Sequence, residues 1–155
     1  MMKRKLRVRL PLAAASLAAL SACASVNEQH HKGYAFARAR ELANHVGVRP
    51  SLASYVVKRE SNGRMNAANP NSSARGPMQV IDGTAAAIAG RHVSRHERMG
   101  DIGLKLGVAY LKTCEIALPS APIHTIWARC YVQGHGTVGG NIEHARRAFT
   151  QMYGI

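Results

Sequence analysis

Apolar residues recur at helical spacing along most of this chain, in runs separated by Gly, Pro and Asn. Tyr34, Ala37, Ala39, Leu42 and Val46 predict a first helix, ended by Gly47 and Pro50. Ser51 is placed to cap a second, with Leu52, Tyr55 and Val56 on one face and Glu60 one turn beyond Val56. The pattern then lapses to about Arg75, where Asn66, Asn69, Pro70, Asn71, Ser72 and Ser73 compete for the backbone and predict a loop. Thr84 to Ala89 is Ala-rich and helical. Asp101 is placed to cap a longer helix carrying Leu104, Gly107, Val108, Leu111 and Cys114, with Pro119 and Pro122 beyond its end. Ile123, Ile126, Trp127, Cys130 and Tyr131 mark another, stopped by Gly134. Asn141 caps the last, whose Ile142, Ala145, Phe149 and Met152 face inward. No β-alternation of useful length intervenes, so the expected fold is mainly α, a single domain over residues 34–155.

Residues 1–22 follow a different logic. Lys3, Arg4, Lys5, Arg7 and Arg9 precede an apolar stretch from Leu10 to Leu20 that is too short to span a membrane, which is the pattern of an export signal. Leu20-Ser21-Ala22-Cys23 resembles the lipobox of bacterial lipoproteins, in which the cysteine becomes the lipidated mature N-terminus. Ordinary cleavage at Ala22-Cys23-Ala24 is the alternative. Both readings carry the protein out of the cytoplasm. Lipidation at Cys23 further implies membrane attachment through the N-terminal lipid. With Ala24 rather than Asp next, the expected address is the outer membrane, facing the periplasm. Residues 23–33 lack apolar periodicity and read as a flexible tether.

Charge narrows the partners. Lys and Arg number 21 against 8 Asp and Glu, a formal net charge of +13. Loss of the five basic signal residues leaves 16 against 8, or +8, which favours a polyanionic partner such as an acidic cell-wall polymer. Nucleic acid is disfavoured by export and by a content of two Phe and one Trp, too few stacking platforms. Cys114 and Cys130 lie in separate predicted helices, and the sequence leaves open a disulfide between neighbouring helices or two buried thiols.

The chemistry concentrates in Glu60-Ser61-Asn62-Gly63, the polar loop, and Ala74-Arg75-Gly76-Pro77-Met78-Gln79. One carboxylate at the end of an apolar helix, followed by amides and hydroxyls, suits a general acid that breaks sugar linkages. Burial beside apolar neighbours would raise its pKa so that it holds a proton to donate. Arg59-Glu60-Ser61, Ala74-x-Gly76-x-Met78-Gln79, Gly107-x-x-Tyr110-Leu111 and Tyr131-x-x-Gly134, in that order, resemble the lysozyme-like domain of soluble lytic transglycosylases, which cleave peptidoglycan, and of goose-type lysozymes.

The resemblance implies a lysozyme-like fold and casts Glu60 as catalytic acid/base. It implies Ser61, Ser73, Met78, Gln79 and Tyr131 as substrate-binding residues, with the Tyr131 hydroxyl contacting the catalytic carboxylate. Glycosidases usually need two carboxylates. Lytic transglycosylases use one, because the N-acetyl group of the muramic sugar assists departure and its C6 hydroxyl attacks, giving a 1,6-anhydro sugar. Goose-type lysozymes carry an acidic residue directly after Met-Gln-Val; Ile81 stands there in this chain, and Asp82 is expected to cap the helix at Thr84. Two further departures are Val132, where the family has Asn after the Tyr, and Pro77, where Leu is common.

His92 and His96 have the spacing of helical zinc ligands but no accompanying acidic or Cys pattern, and are expected to be solvated. Neither a metal nor an organic cofactor is expected. The resulting expectation is a peptidoglycan lytic transglycosylase acting on glycan strands, for wall remodelling or for opening the wall beside an envelope-spanning secretion complex. The alternatives are a hydrolytic muramidase using Asp82 and a non-catalytic peptidoglycan-binding component of such a complex.

Overall fold

Ala35, Ala39, Leu42, Ala43 and Val46 line one side of the first helix, α1 (residues 33–46), and are all buried in the core. The computed structural model describes residues 33–153, so the signal, Cys23 and nearly all of the tether lie outside the described residues. The buried stripe of α1 differs from the expected one: Tyr34 and Ala37 are exposed, and Tyr34 instead directs its hydroxyl at Asp101 Oδ1. Small Ala side chains on both faces blur the period there.

Helix α2 (Pro50–Ser61) starts on a proline, whose fixed φ suits the first helical position. Ser51 is therefore not its cap. Arg49 precedes Pro50 and gives both its backbone N–H and its guanidinium to Glu115, a tertiary contact that replaces a side-chain cap. Leu52, Ala53, Val56 and Val57 face the core, and Asn62 closes the helix in the left-handed conformation at φ 53°.

From Asn62 to Ile81 the chain is irregular, joined only by isolated bridges of Arg75 to Ala68 and Val80. Local bonds replace regular structure. Asn69 Oδ1 accepts from the Asn71 N–H, the Ser72 hydroxyl from the Ala74 N–H, and the Arg75 guanidinium donates to the carbonyls of Asn69, Ser72 and Ala74. Gly76 has φ 80°, and a Cβ there would lie 1.8 Å from the Arg98 carbonyl oxygen, so only glycine fits.

Helix α3 (Asp82–Ala89) and the one-turn α4 (Arg95–Arg98) lead into α5 (Asp101–Ala117), the central helix, which packs against α2, α3, α4 and the last helix, α7 (Glu143–Tyr153). Helix α4 was not expected from periodicity; a capping box between Ser94 and Glu97 holds it. Asp101 opens α5 without capping it and instead receives the Arg38 guanidinium of α1 at 2.8 Å. Asp82 likewise does not cap α3; it pairs with Arg98, which is fully buried and also donates to the carbonyls of Ser73 and Val80.

A short α6 (Ile123–Ile126) continues into a wider π-helical turn, Trp127–Val132, ended by Gly134 at φ 99°. A disulfide joins Cys114 of α5 to Cys130 of this turn, with the Cα atoms 5.5 Å apart. A 3₁₀ turn (His135–Val138) precedes α7, whose first turn is capped as expected by Asn141 Oδ1, 2.9 Å from the Glu143 N–H. The result is the mainly α single domain expected from the sequence. Among the described residues no helix is long and apolar enough to cross a membrane.

Candidate active site

Three segments remote in sequence meet around one carboxyl. The last turn of α2 contributes Glu60, the loop before α3 contributes Ala74, Gln79, Val80 and Ile81, and the π turn contributes Tyr131 and Val132 to the walls of a cleft of about 330 Å³. Glu60 stands on it because α2 buries Val56 and Val57 one turn earlier, which turns the next position toward the helix flank.

Burial raises the Glu60 pKa above the ordinary glutamate value. A hydrogen bond from Trp127 and the nearby Arg59 charge oppose that rise without cancelling it. Trp127 Nε1–H donates to Glu60 Oε1 at 2.6 Å, Arg59 lies over the indole ring at 4.6 Å, and Tyr55 meets it edge-on at 6.1 Å. The expected contact of Tyr131 with the carboxylate is not present. Its hydroxyl donates to the Met78 carbonyl at 2.7 Å, and burial above all, then the negative charge of Glu60, pushes the phenol pKa well up. Tyr110 of α5 packs against Tyr131 with the ring centroids 5.4 Å apart and the planes tilted by 59°, and it also lines the cleft, with its hydroxyl bonded to His135.

The other expected binding residues divide between cleft and scaffold. Gln79 lines the cleft, but its amide nitrogen is spent on the carbonyls of Ala67 and Gly76, and its φ of 49° marks the tight turn that these bonds stabilise. Met78 is wholly buried, off the cleft surface, against Gly107 of α5. Ser61 is buried as well, donating to the Pro77 carbonyl at 2.7 Å and accepting from the Gly63 N–H, so it clamps α2 to the loop. Ser73 accepts from the Asp82 N–H at 3.1 Å and so secures the start of α3.

Glu60 is the sole carboxylate among the described residues lining the cleft. Ile81 and Val132, both on the rim and both largely exposed, present apolar surface beside it. His92 and His96 are exposed and do not share a helix, and among the described residues no cluster of three or more His, Cys, Asp or Glu could hold a metal ion. Sequence spacing does not mark Trp127 as a partner of Glu60; its one signal is its place four residues before Tyr131 on the same helical stretch.

A half-buried carboxyl with a raised pKa, set in an open cleft among amides and phenols, can deliver a proton to a bound sugar oxygen. Residues 38–152 match the Transglycosylase SLT domain. No curated protein and no solved structure matches the chain. The chain belongs to the SLT transglycosylase family, the lytic transglycosylases, which act on peptidoglycan as glycosidic-bond lyases.

Proposed function

We propose that Glu60 is the acid/base of this lytic transglycosylase and that its product is a 1,6-anhydro-muramic sugar. The single observation that carries the proposal is that, among the described residues, Glu60 has no second carboxylate beside it in the cleft. Hydrolysis by two carboxylates needs one to activate water. Ile81 occupies the place where the hydrolytic relatives carry their acid, and Asp82 is committed to Arg98. Protonated Glu60 donates to the glycosidic oxygen as the bond from the anomeric carbon to that oxygen breaks. The N-acetyl oxygen supports the electron-poor carbon; the C6 hydroxyl then forms the new bond and returns its proton to Glu60. No water is consumed.

Gln79, Tyr110 and Tyr131 stand along the cleft to receive the strand, while Ser61, Ser73 and Met78 act by holding the loop that shapes it. Delivery to the cell envelope, through a lipid on Cys23 and with the domain facing the periplasm, belongs to the same proposal. The Cys114–Cys130 disulfide supports it, because such bonds persist in oxidising compartments. The role that follows is local opening or remodelling of the wall, including beside an envelope-spanning secretion complex.

Mass spectrometry of the fragments released from purified peptidoglycan tests the chemistry. Anhydro-ended fragments from wild type, reduced about 10²-fold or more in a folded Glu60→Gln protein, are expected. Reducing-ended fragments would replace the transglycosylase product with a muramidase one, and full activity in Glu60→Gln would remove Glu60 from the chemistry. Cys23→Ser should move the protein from the membrane to the soluble fraction; unchanged fractionation would remove the lipid anchor.

A further inference from the structure

The proposed reaction uses Glu60, yet the carboxyl has a second neighbour that stands outside the cleft. Trp127 donates to Glu60 Oε1 from a position that does not line the cleft, so the indole reaches the carboxyl from its protein side. We propose that Trp127 is a positioning residue that decides which oxygen of Glu60 carries the catalytic proton. This rests on Glu60 being the acid.

An indole N–H is a donor only, so the oxygen it meets must accept. With Oε1 so engaged, the acid proton belongs on Oε2, to which no other described residue is hydrogen-bonded. The arrangement matters most after the proton has gone. Negative charge then collects on the carboxyl and the same bond becomes charge-assisted, roughly twice as strong as a neutral one. A donor whose hold tightens as charge develops stabilises the transition state more than the ground state. When the C6 hydroxyl later gives up its proton, Oε2 is again the oxygen placed to take it.

Glu60 is the group hydrogen-bonded to this indole's N–H. On α2, Arg59 lies over the indole ring and Tyr55 against its edge. From the π turn Tyr131 faces Glu60, and from α5 Tyr110 stands behind Tyr131 with His135 at its hydroxyl; burial is the main cause holding both phenols above their ordinary pKa, so they stay neutral while Glu60 titrates.

The chain contains one tryptophan, so its emission reports this contact directly. Emission of the purified full chain should change with pH along a single titration whose midpoint lies above the ordinary glutamate value, and Glu60→Gln should abolish that change. Trp127→Phe keeps a flat ring and removes the donor. Its kcat should fall about tenfold with KM within about twofold. Because the lost bond favoured the ionised carboxyl, the Glu60 pKa should rise, and the limb on which activity falls as Glu60 deprotonates should move to higher pH. An emission titration that persists unchanged in Glu60→Gln, or a Trp127→Phe protein with wild-type kcat and pH profile, overturns the proposal. If Trp127→Phe does not fold, the wild-type and Glu60→Gln emission curves still decide it, since both keep the indole. The two readings fail separately: cleavage by Glu60→Gln removes the acid itself, whereas emission blind to Glu60 removes Trp127 alone.

Discussion

The Tyr131 hydroxyl donates to the Met78 carbonyl, so the π turn grips the backbone of the cleft loop across 53 residues of chain. The bond satisfies a carbonyl that has left regular structure, and it keeps Tyr131 packed against Tyr110. Tyr131→Phe leaves that carbonyl unpaired and is expected to cost about 1–3 kcal/mol. Thermal unfolding measures the loss; an unchanged Tm would show that the loop holds its place without the tyrosine.

Glu60 should make the protein less stable at neutral pH. Burial raises its folded-state pKa, so the folded chain holds the proton more tightly than the unfolded chain does. Its cost is absent below the ordinary glutamate range and grows as pH rises from there through the raised value. Glu60→Gln should therefore raise stability near neutral pH by roughly 1 kcal/mol at most after solvent screening, read as a higher Tm. That advantage should vanish in acid. Equal Tm values across the whole pH range would contradict the burial of this carboxyl.

Gly107 sets the depth of Met78. A Cβ at residue 107 would come within 2.4 Å of the Met78 sulfur and 2.6 Å of its Cβ. Gly107→Ala must push Met78 toward the cleft loop, an overpacking expected to cost about 1–3 kcal/mol despite alanine's better helix propensity. Chemical denaturation gives the number, and a stabilised variant would show that Met78 has room to move.

Asp82 separates the product question from stability. Its carboxylate faces the fully buried Arg98, so Asp82→Asn, which keeps an oxygen to accept from the guanidinium but removes the charge opposite it, should lower stability by about 1–3 kcal/mol. The released fragments should keep their anhydro ends, each lighter by one water than the hydrolysed form. Loss of activity with reducing ends in the wild type would assign Asp82 to water.

Much of this fold is legible in the chain because the helices are amphipathic and punctuated by Gly and Pro. The misses share a cause. Ser51 and Asp101 look like caps, yet Pro50 and the pairs Arg49–Glu115 and Arg38–Asp101 settle those helix ends from elsewhere in the structure. Helix α4 is too short to show a period, although Ser94 and Glu97 spell its capping box. At the site, Glu60 and Tyr131 are readable from their motifs. Their partners are not: the Trp127–Glu60 bond spans 67 residues and no local spacing predicts it. Met78 and Ser61 look like cleft residues in sequence and are scaffold in space, because burial is a property of the neighbours rather than of the motif.

The wide separation of Glu60 from Trp127 also bears on the order of events in the life of the molecule. The acid is synthesised early, but the turn bearing Trp127 and Tyr131 is among the last parts of the domain to leave the ribosome, and its tie to α5 closes only where thiols oxidise. A growing chain therefore carries its carboxyl before the cleft around it is complete.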